Sequence, residues 1–116
     1  MRYKLIIALV DDPQLEEVMD AAREAGATGI TVIPRARGEG GNQKKTFLGL
    51  TLETQRDVLL LVVEEHLSRH ILETICDVGR FETKSGAGIA MQLDLEDVVG
   101  IAHQARDLEG LVEDEL

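Results

Sequence analysis

The sequence predicts an α+β domain of the ferredoxin-like type, with the order βαββαβ, a four-stranded antiparallel sheet and two helices on one face. Two aliphatic runs, residues 5–10 and 58–63, are each followed by a helical pattern and then by a second strand pattern. Right-handed crossovers in these two units place both helices on the same side of the sheet. The other side then needs a cover, so we expect the chain to self-associate.

The first unit opens with a strand and a helix. Residues 3–10 form a short apolar run bounded by charge and proline, which predicts a central strand. Asp12 can cap a helix, Pro13 suits its first position, and Gly26 offers a stop. Between them, apolar side chains recur with helical spacing at Leu15, Val18, Met19 and Ala22.

The second strand and a long connection complete this unit. Residues 29–37 are rich in β-branched side chains, and Pro34 among them lacks a backbone donor, which indicates a sheet edge or a bulge. Residues 38–55 follow with no sustained period of either kind. A stretch of this length inside a compact domain is usually functional or disordered.

The second unit repeats the pattern. Residues 58–63 predict a buried strand, and a polar loop at residues 80–88 leads to an alternating strand at residues 89–95. Between the strand and the loop lies a helix that ends at Gly79. Its apolar positions are Leu67, Ile71, Leu72, Ile75 and Val78.

Length and charge narrow the function. The 116 residues suffice for one domain, which we assign to residues 1–103, followed by an acidic tail at residues 104–116. A net charge of −10 repels nucleic-acid phosphates and anionic membranes, and 3% aromatic residues provide few stacking platforms. We therefore expect no nucleic-acid partner. The apolar start is too short to span a bilayer, so we expect no membrane insertion. Cys76 is the single cysteine and can form no internal disulfide, which fits a cytoplasmic protein.

Residues 83–88, with the sequence TKSGAG, are the first candidate binding site. Closely spaced glycines let backbone N–H groups approach an anion, while Lys84 adds charge and Ser85 adds a hydroxyl. A plain turn between a helix and a strand accounts for the same residues. Both interpretations remain open at this point.

A second candidate lies in residues 38–55. Its glycine-rich start, residues 38–41, is followed by Asn42 and flanked by basic side chains at Arg35, Arg37, Lys44 and Lys45. In an acidic protein this is a local positive patch. The alternative is a flexible hairpin whose lysines only maintain solubility.

The other reactive side chains have simple structural explanations. His66 and His70 share a helix face beside Glu64 and Glu65. Such a group could hold a metal, but a surface helix start is the better interpretation, so no metal site is assigned. Cys76 has apolar neighbours and is interpreted as a core residue. No catalytic triad, carboxylate dyad or P-loop pattern is present, so no enzymatic activity is expected.

Over nearly its whole length the chain resembles the PII signal-transduction family, which are trimeric cytoplasmic regulators of nitrogen and inorganic-carbon metabolism. The resemblance rests on the opening strand and helix, on residues 26–32 (GATGITV), on the run from Val63 through the second helix, and on residues 83–88. That last turn is similar to the family's B-loop, and residues 38–55 are similar to its target-binding T-loop. The resemblance implies a homotrimer that regulates a membrane transporter or a metabolic enzyme.

In the family, adenine nucleotides bind between subunits. Carried over residue by residue, the resemblance implies ligand contacts at Gly29, Thr31, Gly38, Gly40, Val63, Gly86 and Gly88. Arg37 and Lys84 are added to the ligand site as cations that could substitute for missing family charges. It implies target contacts at Asn42, Lys44, Lys45, Phe47 and Leu48. Positions that carry a positive charge in the family are occupied here by Gly41, Ile89, Gly100 and Ala102. We therefore expect ADP, AMP or another small anion as the effector, with tight ATP binding requiring substitute basic residues.

Two alternatives share this fold. One is a trimeric divalent-metal-binding protein of the CutA type, in which His66, His70 and Cys76 would matter. The other is an acylphosphatase-like enzyme, which is disfavoured because Asp11 and Asp12 stand where a phosphate cradle needs arginine.

Overall fold

The computed structural model describes residues 2–36, 46–47, 50–51, 56–84 and 86–101. The predicted acidic tail and most of the 38–55 segment lie outside these residues. In chain order, the elements are β1 (Tyr3–Asp11), a 3-10 turn (Asp12–Gln14), α1 (Leu15–Glu24), β2 (Thr31–Ala36), β3 (Thr46–Phe47), β4 (Leu50–Thr51), β5 (Arg56–Glu64), α2 (Glu65–Gly79) and β6 (Gly88–Asp94).

Four of these strands form one sheet in the order β2-β5-β1-β6, with every neighbouring pair antiparallel. Each helix connects two strands that have a third strand between them, which is the ferredoxin-like arrangement expected from the sequence. The predicted fold class is thus confirmed. The segment predicted to be irregular differs in one respect, because Thr46 pairs with Thr51 and Phe47 with Leu50 in a separate two-stranded hairpin.

Both helices pack on one face of the sheet. Alternate residues of the two central strands point to this face because side chains alternate along a strand. The fully buried cluster comprises Ile6, Ala8 and Val10 of β1, Leu59, Leu61 and Val63 of β5, Val18 and Ala22 of α1, and Leu67, Ile71 and Ile75 of α2, with Ala27 beside them. The core is aliphatic, as the composition requires.

The opposite face of the sheet is apolar and carries no helix among the described residues. The side chains that alternate with the core set are Leu5, Ile7, Leu60, Val62 and Met91, all half-buried. At its two edges Ile33 is 48% exposed and Leu93 is 44% exposed. Large apolar side chains in one contiguous patch are typical of a surface that a partner covers.

The two edges of the sheet are β2 and β6. In β2 the pairing with β5 shifts register between Ile33 and Ala36, and Pro34 lies within that interval. Proline cannot donate to a ladder, so the predicted edge or bulge at this position is confirmed.

The helix start after β1 differs from the prediction that Asp12 caps it. Asp12 is instead the first residue of the 3-10 turn, and Asp11 holds the capping position without a side-chain cap hydrogen bond. Asp12 cannot be the cap because it already lies within the turn, and the carboxylate of Asp11 forms an ion pair with Arg56 instead of capping.

The end of α2 also differs in detail. Gly79 is the last helical residue, but the left-handed residue is Arg80, with φ of 58°. Arg80 N–H donates to Asp77 O at 3.2 Å and Phe81 N–H donates to Cys76 O at 3.0 Å, the bond pattern of a Schellman motif. Gly79 is needed for a different reason, since a Cβ there would collide with the Phe81 ring.

Neither helix of the described residues is long and apolar enough to cross a membrane.

Candidate functional site

The predicted glycine turn lies between α2 and β6, at the end of the sheet where β1 finishes and β5 begins. Lys84 N–H donates to Arg80 O at 3.0 Å, and Ala87 N–H donates to Lys84 O at 3.2 Å. Gly86, with φ of 73°, supplies the positive φ that the third position of a tight turn of this kind demands. Two of the N–H groups that could bind an anion are therefore already used to close the turn.

The two glycines of this turn have different reasons to be glycine. A Cβ at Gly86 would meet nothing within 4 Å, so backbone conformation alone favours glycine there. A Cβ at Gly88 would lie 2.5 Å from the backbone oxygen of Leu9 and would also collide with the Phe81 ring. Gly88 is thus a packing requirement, whereas Gly86 leaves its surroundings open to a ligand.

Arg56, the first residue of β5, donates hydrogen bonds to the backbone of the turn. Arg56 is only 5% exposed. Its Nη2 donates to Gly86 O and its Nη1 donates to Ala87 O at 2.8 Å. The same Nη1 lies 2.6 Å from Asp11 Oδ1, so the buried positive charge is matched by a carboxylate. The Nε atom of Arg56 is buried and has no hydrogen-bond partner.

Two exposed cations belong to the turn and the segment that leads into it. Lys84 and Arg80 are both exposed, and a backbone hydrogen bond joins their residues. Glu82 between them is exposed as well. Lys84 and Arg80 can present positive charge to an anion, which Arg56 cannot do because it is buried and already paired.

Gly29, Thr31 and Val63 lie away from the turn. Gly29 and the exposed Thr31 are at the β2 edge, beside Leu60 and Val62, whereas the turn leads into β6 at the opposite edge. Val63 is only 1% exposed, so neither its side chain nor its backbone is open to a ligand in the single protomer. One protomer brings together Lys84, Gly86 and Gly88, and it separates them from Gly29 and Thr31.

The remaining predicted contacts lie largely outside the described residues. These are Arg37, Gly38, Gly40, Asn42, Lys44, Lys45 and Leu48, together with the hydroxyl of Ser85. Phe47 is described only as a backbone position in β3.

The opposite end of β5 carries a second buried charge, Glu64, which is 1% exposed. Glu64 caps α2 by accepting from His66 N–H at 2.7 Å, and its other oxygen lies 2.6 Å from His66 Nδ1. This contact raises the pKa of His66 above its ordinary value of 6.5, first through the hydrogen bond and then through the charge of Glu64.

The structure brings a group of potential metal ligands together at this end of β5. It is not the group that the CutA-type alternative requires. Glu64, Glu65 and His66 offer ligand atoms within 4.8 Å of one another, while His70 and Cys76 are not part of that group. The site built from His66, His70 and Cys76 is therefore not assembled in the part of the chain that the structure describes.

Cys76 is half-buried and lies outside the core cluster, in a groove with Leu72, Phe81 and Ala90, so its interpretation as a core residue is wrong. It sits on the flank of α2, where the helix borders the edge strand. Burial raises the pKa of its thiol, with a further contribution from Glu82, which leaves it a weak nucleophile.

Sequence reasoning missed Arg56, Asp11 and Arg80 as members of the candidate site. The available signal was the position of Arg56, a charged residue two positions before a run of six aliphatic residues. A charge in that place is expected to point into solvent, and its partners are about thirty residues further along the chain.

These features define a small ferredoxin-like domain with a glycine turn leading into one of its edge strands. The sequence model described as nitrogen regulatory protein P-II matches residues 3–105, nearly the whole chain. The chain therefore belongs to the P-II family of nitrogen regulatory proteins, and the resemblance carried by residues 26–32 and 83–88 is confirmed. A comparison with the curated proteins finds no match. Family membership supports a role in nitrogen regulatory signalling.

Proposed function

We propose that this protein is a homotrimeric PII-type regulator that binds a small effector between subunits and reports it to a target transporter or enzyme of nitrogen or inorganic-carbon metabolism. The effector is an adenine nucleotide, ADP or AMP before ATP. The observation that carries the proposal is the glycine turn at residues 84–88, which opens outward at Gly86 and is flanked by exposed Arg80 and Lys84.

The arrangement of the sheet edges supports a site between subunits. Gly29 and Thr31 are at the β2 edge and the glycine turn leads into the β6 edge, so a single chain keeps the two halves of the expected site apart. Subunits packed side by side would bring one edge of each next to the other edge of its neighbour. The apolar sheet face that the described helices leave uncovered is a natural surface for that association.

The choice of effector follows from charge. In the described part of the turn, the exposed cations are Arg80 and Lys84, and Glu82 lies between them. Each charge-assisted hydrogen bond to a phosphate contributes about 1.5 to 3 kcal/mol. Two cations offset by one carboxylate suit one or two phosphates better than three.

The experiment is a calorimetric titration of the protein with ADP, AMP and ATP, with the mass fixed by light scattering. We expect one site per chain in a trimer and weaker binding of ATP than of ADP. A Lys84→Gln variant should bind ADP about tenfold more weakly, since one charged contact is lost. The matched control is Arg69→Gln, an exposed cation on α2 that pairs only with Glu73 among the described side chains.

Equal ADP affinity of Lys84→Gln and the unmodified protein would remove the turn from the site. A monomer that binds ADP would contradict a cleft between subunits. Lack of binding across the three nucleotides would exclude an adenine nucleotide as the effector.

A further inference from the structure

We propose that Arg56 is a positioning residue for the effector site, which fixes the direction of the glycine turn and ties it to the root of segment 37–55. The root is defined here as the pair Ala36 and Arg56, which face each other across β2 and β5. The inference rests on the proposed function, because it assigns Arg56 a role in the same site.

The contacts of one guanidinium determine how the turn faces. Arg56 donates to two successive carbonyl oxygens, those of Gly86 and Ala87. A peptide group is planar, and its N–H points opposite to its C=O. Holding these two carbonyls inward, together with the bond from Ala87 N–H to Lys84 O, therefore sets the planes of the peptide groups that carry the N–H groups of Ala87 and Gly88. The turn is left with a single orientation relative to the sheet.

Packing does little to fix the turn at Gly86 itself. A Cβ at Gly86 would meet no atom within 4 Å, so this position lacks packing neighbours. Glycine also has the widest conformational freedom of any residue. The contact from Arg56 therefore removes a freedom that the sequence of the turn would otherwise allow.

Arg56 is itself held from three directions. Its guanidinium lies 2.6 Å from Asp11 Oδ1, and its backbone faces Asp11 on β1 and Ala36 on β2. The side chain is 5% exposed, so water does not compete for its hydrogen bonds. A displacement of the root must then move the guanidinium, and with it the two carbonyls of the turn.

A purely stabilising role makes a different prediction. If Arg56 only satisfied buried carbonyl groups, its replacement would lower the free energy of unfolding and leave the ADP affinity of the folded protein unchanged. A positioning role changes that affinity and also changes the local stability of the turn and the root together.

The test is the Arg56→Lys variant, which keeps the positive charge but cannot hold two carbonyls with a planar fork. Its ADP affinity is measured by calorimetry under conditions where circular dichroism shows it folded, and amide hydrogen exchange is followed at Ala36, Ala87 and Gly88. We expect about tenfold weaker ADP binding and faster exchange at all three amides. Arg69→Lys is the control and should change neither quantity.

Two results would overturn the proposal. One is an Arg56→Lys variant with unchanged ADP affinity, and the other is faster exchange at the turn with no change at Ala36. If the Lys variant does not fold, Asp11→Asn keeps Arg56 in place while removing its charged anchor, and the same two measurements then decide.

A double-mutant cycle measured by hydrogen exchange in the absence of nucleotide tests the role of Arg56 separately from the proposed function. Gly86→Ala perturbs the turn directly, and its effect on exchange at Ala36 is compared with and without Arg56→Lys. We expect Gly86→Ala to speed exchange at Ala36 only when Arg56 is present. An equal effect in both backgrounds would overturn the positioning role, whatever nucleotide the unmodified protein binds. Lack of nucleotide binding with a positive cycle would overturn only the effector assignment.

Discussion

The two ends of strand β5 solve the same physical problem in different ways. The strand begins with Arg56, 5% exposed, and ends with Glu64, 1% exposed. Both charges need partners, because burying an unpaired charge is strongly unfavourable. Glu64 finds its partners two residues away, at the backbone and ring of His66. Arg56 finds two of its partners 30 and 31 residues away, in the glycine turn.

The contacts of Glu64 with His66 are named the local device here, because they join residues that are two positions apart in the chain. The contacts of Arg56 with Asp11 and the glycine turn are named the long-range device. The Glu64 contacts start a helix and would do so in many folds, since a carboxylate that accepts from the first helical N–H groups needs only the adjacent residues. The Arg56 contacts connect the end of β1, the start of β5 and the turn before β6. Of these two sets of contacts, the second is the one that joins the candidate site to other strands.

The largest expected effect is loss of the long-range device. Replacing Arg56 by Met should lower the free energy of unfolding by about 3 kcal/mol, because Asp11 and two carbonyl groups lose their partner. Urea unfolding of the variant and the unmodified protein measures this change in the free energy of unfolding. Arg69→Met removes a cation from an exposed pair and should change stability by less than about 0.5 kcal/mol. If both variants were equally stable, the contrast between the two ends of β5 would not hold.

The second effect distinguishes the two glycines of the turn. Gly88→Ala should cost about 2 to 3 kcal/mol, because the new Cβ meets the Leu9 backbone oxygen at 2.5 Å. Gly86→Ala should cost about 1 kcal/mol, from the left-handed conformation alone. Thermal unfolding of the two variants gives the comparison. The reverse order would show that the turn, and not the packing of β6, limits stability here.

The smallest effect concerns the local device and its pH dependence. The pKa of His66 is raised in the folded state, mainly by its hydrogen bond to Glu64 and next by the charge of that residue. The protonated form is favoured by folding, so the contribution is complete below the unfolded pKa of 6.5 and is lost as pH rises through the folded pKa.

Stability relative to a His66→Gln variant should therefore fall as the pH rises above 6.5 and through the folded pKa of His66. Urea unfolding at several pH values measures this difference. The matched control is Glu64→Gln, in which the charge that raises the pKa is absent and the slope should shrink. A difference between the unmodified protein and His66→Gln that stays flat with pH would mean that the ion pair does not persist in solution.

Local patterns explain how much could be predicted. The aliphatic runs at residues 5–10 and 58–63, the Pro34 bulge and the end of α2 at Gly79 each depend on neighbouring residues, and each was predicted correctly. The helix cap at Asp12 was predicted wrongly because the turn begins one residue earlier, at Asp12 itself. Asp11 then holds the capping position, but its carboxylate pairs with Arg56 on another strand.

The candidate site was predicted only in part, because only its local features are visible in the sequence. The glycine turn was found because glycine spacing is a local signal, and Gly86 has the positive φ that such spacing indicates. The role of Gly88 was not found, because its neighbours are Leu9 and Phe81 and only packing brings them together. Arg56 gave no signal beyond its place before an aliphatic run.

The sequence by itself determined the order of the two helices and the four strands of the main sheet, the ferredoxin-like topology and membership of the P-II family. Hydrophobic periodicity and short motifs specify these without knowledge of distant contacts. The tertiary structure decided which charged groups pair and why Gly79 and Gly88 must lack a side chain. It also placed Gly29 and Thr31 at the β2 edge of the sheet, whereas the glycine turn leads into β6 at the other edge. The reason is separation along the chain. A contact across 30 residues leaves no periodic trace in the sequence, and it exists only once the strands have placed Arg56 beneath the turn.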